Sequence, residues 1–152
     1  MTAPAIRVRV AYQRDALAAS ACVNAAFEPY VERIGKPPAP MLSDYAALAV
    51  EGKVWVAELG EQVVGVLVQY ETADGFYIDT VAASPQTHGT GVGRALLEFA
   101  EGEARRRGFE SICLCTNSKM TENQVLYPKI GYVEYDRRAQ SGYERVFYRK
   151  RI

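Results

Sequence analysis

Apolar and charged residues alternate through Ile6, Arg7, Val8, Arg9 and Val10, the period-two pattern of a strand. The period then lengthens. Leu17, Cys22, Val23, Ala26 and Phe27 recur at helical spacing, and Pro29 ends or kinks that helix. A stiff loop, Gly35-Lys36-Pro37-Pro38-Ala39-Pro40, leads to a second helix over Asp44 to Val50, which Gly52 stops. Three strands follow, Val54 to Leu59, Val63 to Tyr70 and Gly75 to Ala82, the first two joined by Gly60-Glu61-Gln62 at hairpin length. The next helix carries Val92, Ala95, Leu96, Phe99 and Ala100 on one stripe and the pairs Glu101/Arg105 and Glu103/Arg107 on wetter faces, up to Gly108. Ser111 to Thr116 reads as a short apolar strand. Thr121-Glu122-Asn123-Gln124 has the form of a capping box that opens a helix towards Gly131, and Pro128 should kink it. Tyr132 to Arg137 and Tyr143 to Lys150 read as closing strands around Gly142, the second with solvated charges. The order β-α-α-β-β-β-α-β-α-β-β mixes hairpins with crossover helices, which predicts an α+β fold on a mixed sheet.

Composition narrows the class of partner. A chain of 152 residues that is 49% apolar is predicted to form one domain over residues 1–152, large enough for a core without disulfide or metal staples. Lys+Arg and Asp+Glu both number 18, and this balance argues against nucleic acid and anionic membranes, which draw on a strongly basic surface. No apolar run is long enough to span a bilayer, and Met1 to Arg9 lacks a signal core, so a cytoplasmic protein is expected. Cys113 and Cys115 lie two apart on a strand and read as inert core residues rather than a disulfide or nucleophile. With His88 the single histidine and no CxxC, no metal site is expected.

The candidate chemistry lies in Val81 to Leu97, VAASPQTHGTGVGRALL, where a strand runs through Gly89-Thr90-Gly91-Val92-Gly93 directly into a helix. Small residues there leave backbone N–H groups uncovered at the positive end of the helix dipole, which suits a pyrophosphate, so the expected ligand is a phosphorylated cofactor. A P-loop would need Gly-Lys-Ser/Thr where Gly93-Arg94-Ala95 stands. A dinucleotide fingerprint would need Gly or Ala at Arg94 and a doubly wound parallel sheet.

Gln86-Thr87-His88-Gly89-Thr90-Gly91 resembles the Q/R-x-x-G-x-G/A acetyl-CoA motif of the GCN5-related N-acetyltransferases (GNAT). Leu126-Tyr127-Pro128-Lys129-Ile130-Gly131-Tyr132 is similar to that family's L-Y-x-K-x-G-F/Y segment, and order and spacing agree over residues 54 to 135. The resemblance implies a mixed, largely antiparallel sheet, splayed in the middle, with helices on both faces. It implies acetyl-CoA as co-substrate and direct transfer to an amine of a small molecule or peptide in a ternary complex. By the same resemblance, Val81, Ala82 and Ala83 would pair with pantetheine, and one amide at the splay would face the thioester oxygen. Gln86 and the amides of Gly89, Thr90, Gly91, Val92, Gly93 and Arg94 would hold the pyrophosphate. His88 would add a donor beside it or remain an exposed loop side chain. Tyr127 matches the tyrosine that protonates the departing thiolate, and its phenol, with an ordinary pKa of about 10, is protonated at neutral pH. Met120 stands where the family often has asparagine, so Asn117 and Asn123 are the available substitutes; Asn123, one turn before Tyr127 on the same face, either reaches the cofactor or is a solvated polar residue of the first turn. The sequence does not name the base. Asp79, two residues before Val81 on the same strand face, is the first candidate, Glu28 and Glu32 in the loop expected to shape the acceptor site are others, and a water chain would serve in place of all three. A homodimer is left open. The rival from another class is a non-catalytic acyl-CoA-binding sensor or structural module.

Overall fold

A computed structural model describes residues 5–152, and its strands follow the predicted order closely. They are β1 (Ile6–Val10), β2 (Val54–Leu59), β3 (Gln62–Thr72), β4 (Gly75–Ala83), β5 (Ser111–Asn117), β6 (Val133–Gln140) and β7 (Tyr143–Arg151). They form a seven-stranded sheet in the order β1-β2-β3-β4-β5-β7-β6. Four of the pairs whose register is described are antiparallel, and β4/β5 is parallel, so the sheet is mixed and largely antiparallel. The helices are α1 (Ala16–Phe27), α2 (Val31–Ile34), α3 (Tyr45–Val50), α4 (Val92–Arg106) and α5 (Thr121–Lys129). Internal contacts divide the chain into two compact units that interleave in sequence, Met1–Gln69 with Thr80–Ala100 and Tyr70–Asp79 with Glu101–Ile152.

In the first unit, the first four residues of β2, Val54 to Ala57, are all buried, so neither face of that stretch meets water. On one face Ala57 pairs with Gly65, and α4 packs directly above. A Cβ built on Gly65 would lie 2.7 Å from Val92 Cγ1, 2.9 Å from Leu96 Cδ1 and 3.1 Å from Ala57 Cβ, which is why only glycine fits. Trp55 meets Phe99 of the same helix at 6.1 Å between centroids. On the edge, Arg9 donates to Asp15 at 2.8 Å and to Glu58 at 2.8 Å, and its guanidinium holds both carboxyls below the ordinary range.

In the second unit, β4 and β5 are in register at only three positions, Phe76↔Ile112, Tyr77↔Cys113 and Ile78↔Leu114, although β5 continues to Asn117. The ladder therefore ends within the strands, as a splayed sheet requires. β7 inserts between β5 and β6, pairing seven residues of β5 from Ser111↔Arg151 to Asn117↔Arg145.

Several local expectations need correction. The segment after Pro29 folds as a 3-10 turn and α2 rather than a plain loop, because Pro29 sits in a first turn, where its missing N–H costs nothing. Leu17 is 87% exposed, so the apolar stripe of α1 begins at Ala19. Glu101 is buried instead of pairing with Arg105: it accepts from Tyr132 Oη at 3.0 Å and from Lys150 Nζ at 3.0 Å. Glu103 does pair with Arg107, and also with Arg106. The capping box does not form, since Thr121 is already helical and its hydroxyl turns to Glu122, leaving Met120 as the cap without a side-chain bond. α5 includes Pro128 and stops after Lys129, short of Gly131. The connection between β2 and β3 shortens to Gly60 and Glu61.

Candidate active site

The strand-to-helix turn belongs to the first unit. Ser84 N–H donates to Val64 O at 2.8 Å as β4 ends, and a 3-10 turn, Pro85–Thr87, carries the chain towards α4. Two hydroxyls brace the bend: Thr87 Oγ1 donates to Ser84 O at 2.8 Å, and Thr90 Oγ1 donates to Thr87 O at 2.5 Å. The amides of His88 and Thr90 are committed to Pro85 O and Thr87 O. The first helical bond of α4 runs from Ala95 N–H to Gly91 O. Among the described residues, the amides of Gly89, Gly91, Val92, Gly93 and Arg94 therefore have no backbone acceptor. Of the six amides expected to serve a pyrophosphate, five are available and that of Thr90 is not. Gly91 has φ +88° and nothing within 4 Å of where its Cβ would stand. This backbone needs glycine, and it faces open space. Gln86, His88 and Arg94 are exposed around the bend, with Arg94 paired to Glu98 at 3.0 Å, while Ala82 is buried and Val81 and Ala83 half-buried. Glu28 and Glu32, in the same unit, are exposed.

The other expected residues lie in the second unit. Tyr127 is buried, its ring 5.8 Å from that of Tyr132 and 5.7 Å from that of Tyr148. Its carbonyl accepts from Ile130 and Tyr132 at 3.2 and 3.0 Å, which folds the chain back at the end of α5. Burial pushes the phenols of Tyr132 and Tyr148 up, and Glu101 pushes that of Tyr132 further. Asn123 is half-buried, and its Nδ2 donates to Thr116 Oγ1 at 3.0 Å, tying α5 to β5.

Asp79 stands two residues after Tyr77 on β4, hence on the same side of the strand. It is half-buried and bonded to Tyr70, whose phenol is pushed up to about 12 by burial and by this carboxylate. Tyr70 meets Tyr77 edge-on at 5.9 Å, and Tyr77 Oη lies 2.7 Å from Cys115 Sγ. Burial also raises the thiol of Cys115, which keeps it protonated and unreactive. Tyr70, Tyr77 and Thr116 were not singled out in the sequence, and Cys115 was read there as an inert core thiol. The available signal was the period-two spacing that sets Tyr77 and Asp79 on one face.

A family model for the acetyltransferase (GNAT) domain matches residues 50–134, more than half of the chain, and the chain belongs to that family. Its fold recurs in solved structures of low sequence identity. The PaiA N-acetyltransferase of Thermoplasma acidophilum, in complex with coenzyme A, is 13% identical with a TM-score of 0.80, the match covering 97% of this chain and 99% of that one. The ribosomal-protein-S18-alanine N-acetyltransferase of Escherichia coli is 17% identical with a TM-score of 0.75, covering 97% and 94%. Ard1 of Thermoplasma volcanium is 16% identical with a TM-score of 0.75, covering 97% and 98%. Among the described residues no helix is long and apolar enough to cross a membrane, and no group of three or more His, Cys, Asp or Glu side chains is gathered for a metal ion.

Proposed function

We propose that residues 1–152 form one catalytic domain that transfers an acetyl group from acetyl-CoA to an amine of a small molecule or peptide, in the cytoplasm, where three free cysteines stay reduced. The observation that carries this reading is the set of five unbonded amides at Gly89 and Gly91 to Arg94, on a turn that no side chain fills. Such donors at a helix N-terminus hold a pyrophosphate through backbone contacts that need no cationic side chain. Residues Val81 to Ala83, where β4 has left its ladder with β5, supply strand backbone for the pantetheine arm.

The chemistry assigned to the chain's own groups is a proton relay around a direct displacement. An alkyl ammonium has an ordinary pKa near 10.4, so its proton must leave before the nitrogen lone pair can attack the thioester carbon. Asp79 receives that proton. As the new C–N bond forms and the C–S bond breaks, the electron pair leaves on sulfur and Tyr127 Oη gives a proton there; the second proton that nitrogen sheds in becoming an amide restores the Tyr127 phenol through water, and Asp79 passes its proton to solvent. Positioning supplies much of the acceleration, because the step joins two bound reactants without a covalent enzyme intermediate.

The packing of the Tyr127 ring between Tyr132 and Tyr148 favours a second reading, in which the tyrosine is structural and the domain senses acyl-CoA without transferring it. A broad amine panel with acetyl-CoA, followed by thiol release, separates the two. The transferase reading expects release well above the uncatalysed rate with at least one amine. Tight CoA binding with background release throughout would establish the module.

A further inference from the structure

The face of the second unit that carries Asp79 also carries the cations Arg138, Arg145 and Arg149, of which only Arg138 is paired with carboxylates among the described residues. Arg149 donates to Asp74 O at 2.7 Å and to Ser111 Oγ at 3.0 Å. Arg138 pairs with Asp136 and with Asp74, its guanidinium 3.8 Å over the ring of Phe147. Arg145, on the same side of β7 as Phe147 and Arg149, has no carboxylate within ion-pair distance among the described residues; its side-chain hydrogen bond goes to the amide oxygen of Gln140, at 2.8 Å. It also stands directly opposite Arg138 across the β6/β7 ladder. Like charges in that position repel and cost stability, so an arrangement that leaves one of them unpaired is suited to a bound anion.

Arg145 also faces the group that holds Asp79. Its charge opposes the upward pull of burial on Tyr70, Tyr77 and Cys115, while Asp79 is bonded to Tyr70. Strand β5 lies between β4 and β7, which sets the two backbones roughly 10 Å apart, a span that a short substrate and a long arginine side chain bridge together.

We propose that Arg145 binds an anionic group on the acceptor, so that the substrates are amines bearing a carboxylate or phosphate at their far end. The inference rests on the acetyl-transfer reading above, with Asp79 at the amine. Guanidinium suits such a ligand because its fork meets two anion oxygens at once.

The test uses the full chain with saturating acetyl-CoA and matched acceptors: straight-chain ω-amino acids and their carboxamides, the corresponding aminoalkyl phosphonates, and short peptides with Glu or Gln beside a free N-terminus. The wild type should favour each charged member by about 10- to 100-fold in kcat/KM. Arg145→Gln should abolish that preference by raising KM for the charged member, and Arg145→Lys should restore part of it. A preference confined to the peptides places the anion on a polypeptide, and one confined to the small acids places it on a metabolite. Equal kcat/KM within every pair, or the same loss for both members in Arg145→Gln, overturns the proposal. If no amine turns over, the transfer reading fails. The subsite is then decided by titrating the same pairs into the CoA-bound protein, where equal affinity for acid and amide overturns it.

Discussion

The glycine turn of the first unit and the tyrosine cluster of the second are built from opposite materials. The turn offers backbone: five amides with no acceptor, glycine where φ is positive, and exposed side chains around it. The cluster offers side chains: the buried rings of Tyr127, Tyr132 and Tyr148, with a carboxylate, Glu101, bonded beneath them. In the first region the side chains matter chiefly where they must be absent. In the second, their shape fixes where a single hydroxyl stands. Substitutions should therefore read differently in the two places.

The largest effect is expected from Tyr127→Phe, which removes the hydroxyl and keeps the ring. If the phenol protonates the leaving sulfur, kcat falls about 10²- to 10⁴-fold, while affinity for acetyl-CoA and the denaturation midpoint hold. A loss of only a few-fold in steady-state assays would reduce Tyr127 to a packing residue. Next comes Gly91→Val. Nothing lies within 4 Å of the added Cβ, so the fold bears only the cost of φ +88° for a β-branched residue, yet the branch occupies the space before the free amides. Calorimetry should show acetyl-CoA binding weakened about 100-fold or more, from several lost charge-assisted bonds. Arg94→Ala, at an exposed side chain on the same turn, should change it by only a few-fold. If the two variants bind alike, the contrast between backbone and side chain fails at this site.

The smallest effect concerns pH. Burial and Asp79 raise Tyr70 to about 12, and burial raises Tyr77 and Tyr132 as well. A group that holds its proton more tightly when folded stabilises fully below its unfolded pKa, about 10 for tyrosine, and loses that contribution as pH climbs towards the folded value. Phenolate absorbance during an alkaline titration should therefore rise in at least two phases, the later one near pH 12 and accompanied by loss of the second unit's aromatic circular dichroism. A single phase near 10 with the fold intact would show that these rings are not buried as described.

The same contrast explains what was legible in the sequence. The turn is local: Gly89, Gly91 and Gly93 sit within a few residues of the strand and helix they join, so spacing alone revealed it. The strands read well for the same reason, because period-two alternation is a short-range pattern. Glu101 was misread as a surface residue because its partners, Tyr132 and Lys150, lie 31 and 49 positions away and only the folded sheet brings them to it. The capping box failed because Thr121 is one position too late to cap the helix it begins. Tyr70 and Tyr77 escaped notice and Arg145 was read only as a solvated charge, because tyrosines and arginines on strands are common, and what sets these apart is the register of β4, β5 and β7.

The place of β7 bears on how the chain is made. It is the last strand in sequence, yet it lies between β5 and β6, and those two meet only through it. During synthesis, at roughly 5 to 20 residues per second, β5 leaves the ribosome with one long edge bare, and β6 follows with no neighbour to receive it. A hairpin between β6 and β7 must form around Ser141 and Gly142, both in left-handed conformations, and dock onto β5 as a unit. Until then Cys113 and Phe147 lack each other's cover, and the nascent chain presents the kind of open, apolar edge that chaperones bind.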